Sequence, residues 1–176
     1  MNKTITILAA IALLLSLAAT ANAQTRNYRD PGYKGSISLT DQYLVFLGLE
    51  TSHGYMFDSN NYLGAGANYS FPLVKGKVRP NCLTTFVDYH RYMSDSPSSL
   101  VLGAKAGYMF MLGKEKNAND GDPYGSFYAE PNVGWSWTLG NGCGLTASVG
   151  AALYTKSQSS GNEFLAMPKL TVGFEF

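Results

Sequence analysis

The chain has 176 residues and a formal net charge of +1, with 14% charged residues, 13% aromatic residues and 19 glycines. Ordinary soluble domains carry about 25% charged residues. The near-zero charge gives no reason to invoke nucleic acid or an acidic partner, and the length suits one domain.

The first residues read as an export signal. Lys3 supplies a positive start, "ITILAAIALLLSLAA" is a short apolar run, and Ala21 and Ala23 complete an A-x-A site. Residues 1–23 are therefore expected to be a cleaved signal peptide and 24–176 the mature domain. The run is short for a membrane anchor. No cysteine follows the cleavage point, which argues against a lipoprotein.

Beyond it, alternating segments are separated by turn chemistry. Strands are expected at about Tyr33–Thr40, Leu44–Phe57, Tyr62–Phe71, Leu83–Met93, Leu100–Leu112, Ser126–Leu139, Gly144–Thr155 and Leu165–Phe176. "DSNN", "SDSPSS" and Asn141-Gly142 supply short turns. "PLVKGKVRPN", "GKEKNANDGDPYG" and "KSQSSGNE" supply longer polar loops. After the first connection, short turns alternate with long loops, which is the habit of transmembrane β-barrels. The fold expected is all-β: an eight-stranded antiparallel up-and-down transmembrane β-barrel.

The faces carry the argument further. Leu63, Ala65, Ala67, Tyr69 and Phe71 alternate with Gly64, Gly66, Asn68 and Ser70. Phe127, Ala129, Pro131, Val133, Trp135 and Trp137 alternate with Tyr128, Glu130, Asn132, Gly134 and Ser136. One face is apolar, with aromatics towards its ends. The other is small or charged. A soluble lipid-binding barrel would turn the apolar face inward, and a membrane barrel turns it to lipid. A soluble surface needs more charge than these polar faces supply. A narrow eight-stranded lumen needs small residues and paired charges. Tyr69, Phe71, Trp135, Trp137, Phe174 and Phe176 fit interfacial girdles.

Alternation places Glu50, Asp88, Lys105, Glu130, Lys169 and Glu175 inward, with His90 beside them. Buried acids and bases must pair, so a lumen charge network is expected. Its main reading is a polar plug, and the sharper one is an ion or proton pathway. His90 has no second histidine at ligand spacing, and one cysteine with one histidine in "CLTTFVDYH" is too little for zinc. "GAGA" lies in a strand and is no phosphate loop. No cofactor, metal or catalytic residue is expected. His53 lies near a short turn, on the apolar face. Cys82 and Cys143 start strands at opposite ends of the expected barrel, too far apart for a disulfide.

"GYKGSISL", "TSHGYMFDSNNYLGAGANYSF", "FVDYHRY", "PNVGWSW" and "VGFEF" together resemble the small porin-like outer-membrane barrels of the OmpA/OmpX-like type, over nearly the whole mature chain. The resemblance implies outer-membrane lipid around the wall. It also implies handling by the barrel-assembly machinery through a C-terminal signal at Leu170, Val172, Phe174 and Phe176. No stretch corresponds to the periplasmic peptidoglycan-binding domain of full-length OmpA-like proteins. Such barrels serve as structural proteins, adhesins, small channels and occasionally enzymes. The expected role is structural, surface-interacting through loops 72–81, 113–125 and 156–163, or limited small-solute passage, without enzymatic activity. A periplasmic lipid-binding barrel and a lipid-modifying enzyme are the alternatives.

Overall fold

The computed structural model describes residues 29–73, 81–112, 125–140, 143–158 and 161–176. Eight strands follow in chain order: β1 (Gly32–Gln42), β2 (Phe46–Met56), β3 (Asn61–Pro72), β4 (Asn81–Tyr92), β5 (Ser98–Leu112), β6 (Gly125–Gly140), β7 (Cys143–Gln158) and β8 (Gly161–Glu175). Each pairs antiparallel with its sequence neighbours, and β8 returns to β1, so the sheet closes into a barrel. Closure leaves no strand without two neighbours, the condition for a sheet to cross lipid.

The register gives the stagger directly. Gly32 lies opposite Met56, and the row continues through Tyr62, His90, Gly103, Asn132, Gly150 and Lys169. Lys169 lies opposite Gln42. One circuit therefore climbs from position 32 to position 42 of β1, a shift of ten residues. Such a stagger over eight strands tilts them by about 40° and leaves a lumen that side chains just fill.

The two faces separate as alternation demands. Leu49, Leu63, Val87, Leu102, Val133, Val149, Leu170 and Val172 are exposed on the outer wall. Glu50, Asp88, Lys105, Glu130, Lys169 and Glu175 are buried inside. This is the inverse of a soluble lipid-binding barrel, whose apolar face would line the interior. Around the lumen, bulky and absent side chains alternate. Gly66, Phe86, Gly107 and Tyr128 lie side by side on four strands. A Cβ at Gly66 would come within 2.6 Å of the Phe86 ring, so the aromatic fits because its neighbour has no side chain.

Packing divides the lumen into three layers. Met56, Tyr62, Tyr92 and Val101 form an apolar layer near the chain termini. Phe86, Tyr128, Ala152 and Tyr154, backed by Met109 and Met167, form another towards the opposite end. Glu50, Lys105, Glu130 and Lys169 lie between them.

Four expectations about the elements change. The strand expected from Leu44 starts at Phe46, and residues 43–45 form a tight turn between β1 and β2. "KSQSSGNE" belongs mainly to strands: Lys156 lies opposite Glu163 and Gln158 opposite Gly161. Its polar composition hides a hairpin, held by backbone hydrogen bonds, that composition cannot report. Loop edges shift likewise, with Pro72 in β3, Asn81 in β4 and Gly125 in β6. Phe174 keeps its outward place between Ile37 and Leu145 yet is only 7% exposed; the Phe176 ring stacks on it with centroids 6.3 Å apart. The signal segment 1–23, residues 74–80, 113–124 and 159–160, and the Asn141-Gly142 turn lie outside the described residues.

Candidate functional site: a charged plug in the lumen

Four strands, β2, β5, β6 and β8, bring the central cluster together. Lys105 Nζ donates to Glu50 Oε1 at 2.5 Å and lies 3.6 Å from Glu130 Oε1. Lys169 Nζ donates to Glu50 Oε2 and to Glu130 Oε2, both at 2.7 Å. Each carboxylate thus receives both lysines, and each lysine serves both carboxylates. The remaining lone pairs are met too. Asn68 Nδ2 donates to Glu50 Oε2 at 3.2 Å and to Thr40 Oγ1 at 2.9 Å. The Tyr128 hydroxyl donates to Glu130 and accepts from Lys169 at 3.2 Å. Lys105 also lies over the Phe86 ring, 5.2 Å from its centroid. Removing four charges from water is costly, and only such full pairing offsets it.

Towards the termini the next groups form a second layer. His90 Nε2 sits 2.9 Å from Asp88 Oδ1, and its ring stacks on Tyr62 with centroids 5.5 Å apart. Lys34 Nζ pairs with Glu175 Oε2 at 2.8 Å, and the Tyr92 hydroxyl donates to Glu175 Oε1 at 2.8 Å. Arg29 caps this end. Its guanidinium lies 4.6 Å from the Tyr92 ring centroid, and Nη1 donates to the carbonyls of Ser94 and Ser96 at 3.0 and 2.9 Å. A polar cavity bordered by Ser36, Ser38, Asp88, His90, Thr146 and Ser148 separates the two layers.

Of the residues expected in the lumen, Glu50, Lys105, Glu130 and Lys169 form one cluster, Asp88 and His90 a pair, and Glu175 a pair with Lys34. Alternation alone would have placed Lys34 inward, since it shares its side of β1 with Ser36 and Ser38. Arg29 lies before the first strand, where alternation says nothing. Of the C-terminal residues, Leu170, Val172 and Phe176 are exposed on the outer wall. Cys82 and Cys143 begin β4 and β7 at opposite ends of the barrel, with no disulfide between them.

His53 faces outward and is hydrogen-bonded on both ring nitrogens. Nδ1 lies 2.6 Å from the Tyr33 hydroxyl and Nε2 2.9 Å from Thr51 Oγ1. Thr51 donates its own hydrogen to the carbonyl of Ser36 at 2.9 Å. It must therefore accept from Nε2–H, which leaves Nδ1 to accept from Tyr33. This arrangement does not activate Thr51 as a nucleophile; it anchors an aromatic group beside Phe176. Among the described residues, no group of three or more His, Cys, Asp or Glu could hold a metal ion.

No protein-family model matches the chain, and no curated protein matches it. Solved structures do. The N-terminal β-barrel domain of Pseudomonas aeruginosa OprF is 13% identical, over 84% of this chain and 98% of that one, with a TM-score of 0.60. Neisserial surface protein A (NspA) is 11% identical, over 82% and 94%, with a TM-score of 0.61. At such identities the likeness speaks for the fold. The chain has the fold of the small eight-stranded outer-membrane barrels.

Proposed function

We propose that this chain is an exported, integral protein of a diderm outer membrane. It acts without catalysis, as a structural barrel that carries its longer loops at the cell surface. The observation behind this reading is the paired cluster of Glu50, Lys105, Glu130 and Lys169, which fills the lumen between two apolar layers. A lumen so filled holds the wall rigid and leaves no continuous water path for a steady current. The chain termini would face the periplasm, and the ends of β3, β5 and β7 would face outside. The connections between β3 and β4, between β5 and β6, and between β7 and β8 are the places for an extracellular ligand, because connections on a rigid scaffold carry recognition. The barrel-assembly machinery would read Leu170, Val172, Phe174 and Phe176 during insertion.

Conductance across a planar lipid bilayer tests the plug. The purified wild-type barrel is expected to give no sustained open-channel current, and Lys169→Ala to give at least transient openings. A steady current from the wild type would show that the cluster does not close the lumen and would move the role to solute passage.

A further inference from the structure

Along β1 the lumen face carries Lys34, Ser36, Ser38 and Thr40. This polar column runs from the end near the chain termini up to the central cluster, where Asn68 donates to Thr40. Two cavities lie beside it. The larger, about 40 Å³, is the polar cavity on the termini side of the central cluster. The smaller, about 10 Å³, lies closer to the termini, between Lys34, Tyr62, Tyr92 and Glu175. Ser36, His90 and Glu175 border both, so His90 stands where the two meet. A third cavity, about 210 Å³, lies at the barrel mouth and shares Lys34 with the second. A buried water takes about 10–15 Å³ of such space and two to four polar partners. The larger cavity therefore holds about two or three waters, with hydroxyls and Asn132 to bind them, and the smaller holds about one.

His90 is the group on this route that takes up a proton near neutral pH. Its side chain is 20% exposed, against 1% for Asp88, so water in the cavities reaches the ring while its partner stays covered. Gly103 on β5 makes room for the ring: a Cβ there would lie 2.8 Å from His90 Cδ2. Charge pairing gives the proton a role. Glu50 and Glu130 share Lys105 and Lys169, and Glu175 has Lys34. The ion-pair partner of Asp88 among the described residues is His90, 2.9 Å away. A protonated imidazole completes this pairing, and a neutral one leaves the buried carboxylate without a countercharge at that distance. Facing His90 are Asp88 and Tyr92 on its own strand, Tyr62 on β3, Lys34 on β1 and Glu175 on β8. Glu50 on β2 and Lys105 on β5 face it across the larger cavity.

We propose that His90 is a proton-binding site supplied with water from the end of the barrel near the termini, so that the charge of this layer follows the pH on that side. In the orientation proposed above, that side is the periplasm. The route ends at the central cluster and carries no steady current. The inference rests on the closed barrel, and gel mobility of each preparation, boiled against unboiled, answers for that separately. The test is deuterium exchange at the imidazole Cε1, whose rate depends on ring protonation and on access to water, read by mass spectrometry on the protein in lipid vesicles. The chain has two histidines, so His53 on the outer wall serves as the internal reference. In the wild type, exchange at His90 is expected to follow a sigmoid with its midpoint between about pH 5 and 8. Ser36→Leu fills the junction of the two cavities and is expected to slow exchange at His90 about tenfold or more, with His53 near its wild-type rate. No exchange at His90, or a rate that does not change over that pH range, overturns the proposal. So does an equal rate in wild type and Ser36→Leu, which would put the water route elsewhere. Ser36→Val takes the place of the leucine variant should that fail to insert.

Discussion

At the scale of single residues, the central cluster makes the sharpest demand. Lys169 touches both Glu50 and Glu130 at 2.7 Å. Lys169→Met would keep the volume and leave two buried carboxylates to share Lys105 alone. We expect a loss of about 3–5 kcal/mol of stability, measured by urea unfolding in lipid vesicles, while the paired change Lys169→Met with Glu130→Gln should restore part of it. A second residue acts in water. Asp58, in the turn between β2 and β3, accepts from the Asn61 side chain at 2.9 and 3.0 Å and from the amides of Asn60 and Asn61. The Asn61 side chain, chief among these donors, holds its carboxyl below the ordinary value of 3.8. A lowered value means stability that is present above pH 4 and lost as pH falls through the folded-state value. Wild-type stability should therefore fall in that acid range more than that of Asp58→Asn, and the two should run parallel from pH 5 to 8. Glu50, Asp88, Lys105, Glu130, Lys169 and Glu175 could be placed by counting in twos from apolar neighbours. Which lysine met which carboxylate could not, because the pairs lie on strands up to 119 positions apart in sequence and depend on the stagger.

At the scale of elements, every strand was legible because a half-apolar face writes its period into the sequence. The ends were less so. A hairpin edge beyond the apolar wall needs no apolar alternation, so Lys156 to Gln158 and Gly161 to Glu163 read as loop although their backbones pair. Leu44 and Val45 misled in the opposite sense: apolar residues at a turn read as the start of a strand. The wall itself makes a prediction. Val149 is 59% exposed, opposite Val133 and Leu170 near the middle of the outer face. Val149→Lys should cost about 2–4 kcal/mol in lipid, whereas Ser148→Ala, on the lumen side of the same strand, should leave stability nearly unchanged. Equal effects at both positions would contradict the assignment of faces.

At the scale of the whole molecule, composition gave the first indication and closure the reason. Few charges and many aromatics suit a protein surrounded by lipid, but composition says nothing about strand count or stagger. The ten-residue shift emerges only from all eight ladders together, and it leaves a lumen narrow enough for four charges to fill. The outer surface, apolar from β1 round to β8, then needs lipid as its solvent. The most direct test of that central claim is mobility in SDS gels of the membrane-extracted protein, boiled against unboiled. A closed barrel stays folded without boiling and runs at a different apparent mass from the boiled chain; this is the result expected, together with a requirement for detergent during extraction. A protein released in the soluble periplasmic fraction, with one mobility before and after boiling, would contradict the account and put the apolar face on the inside.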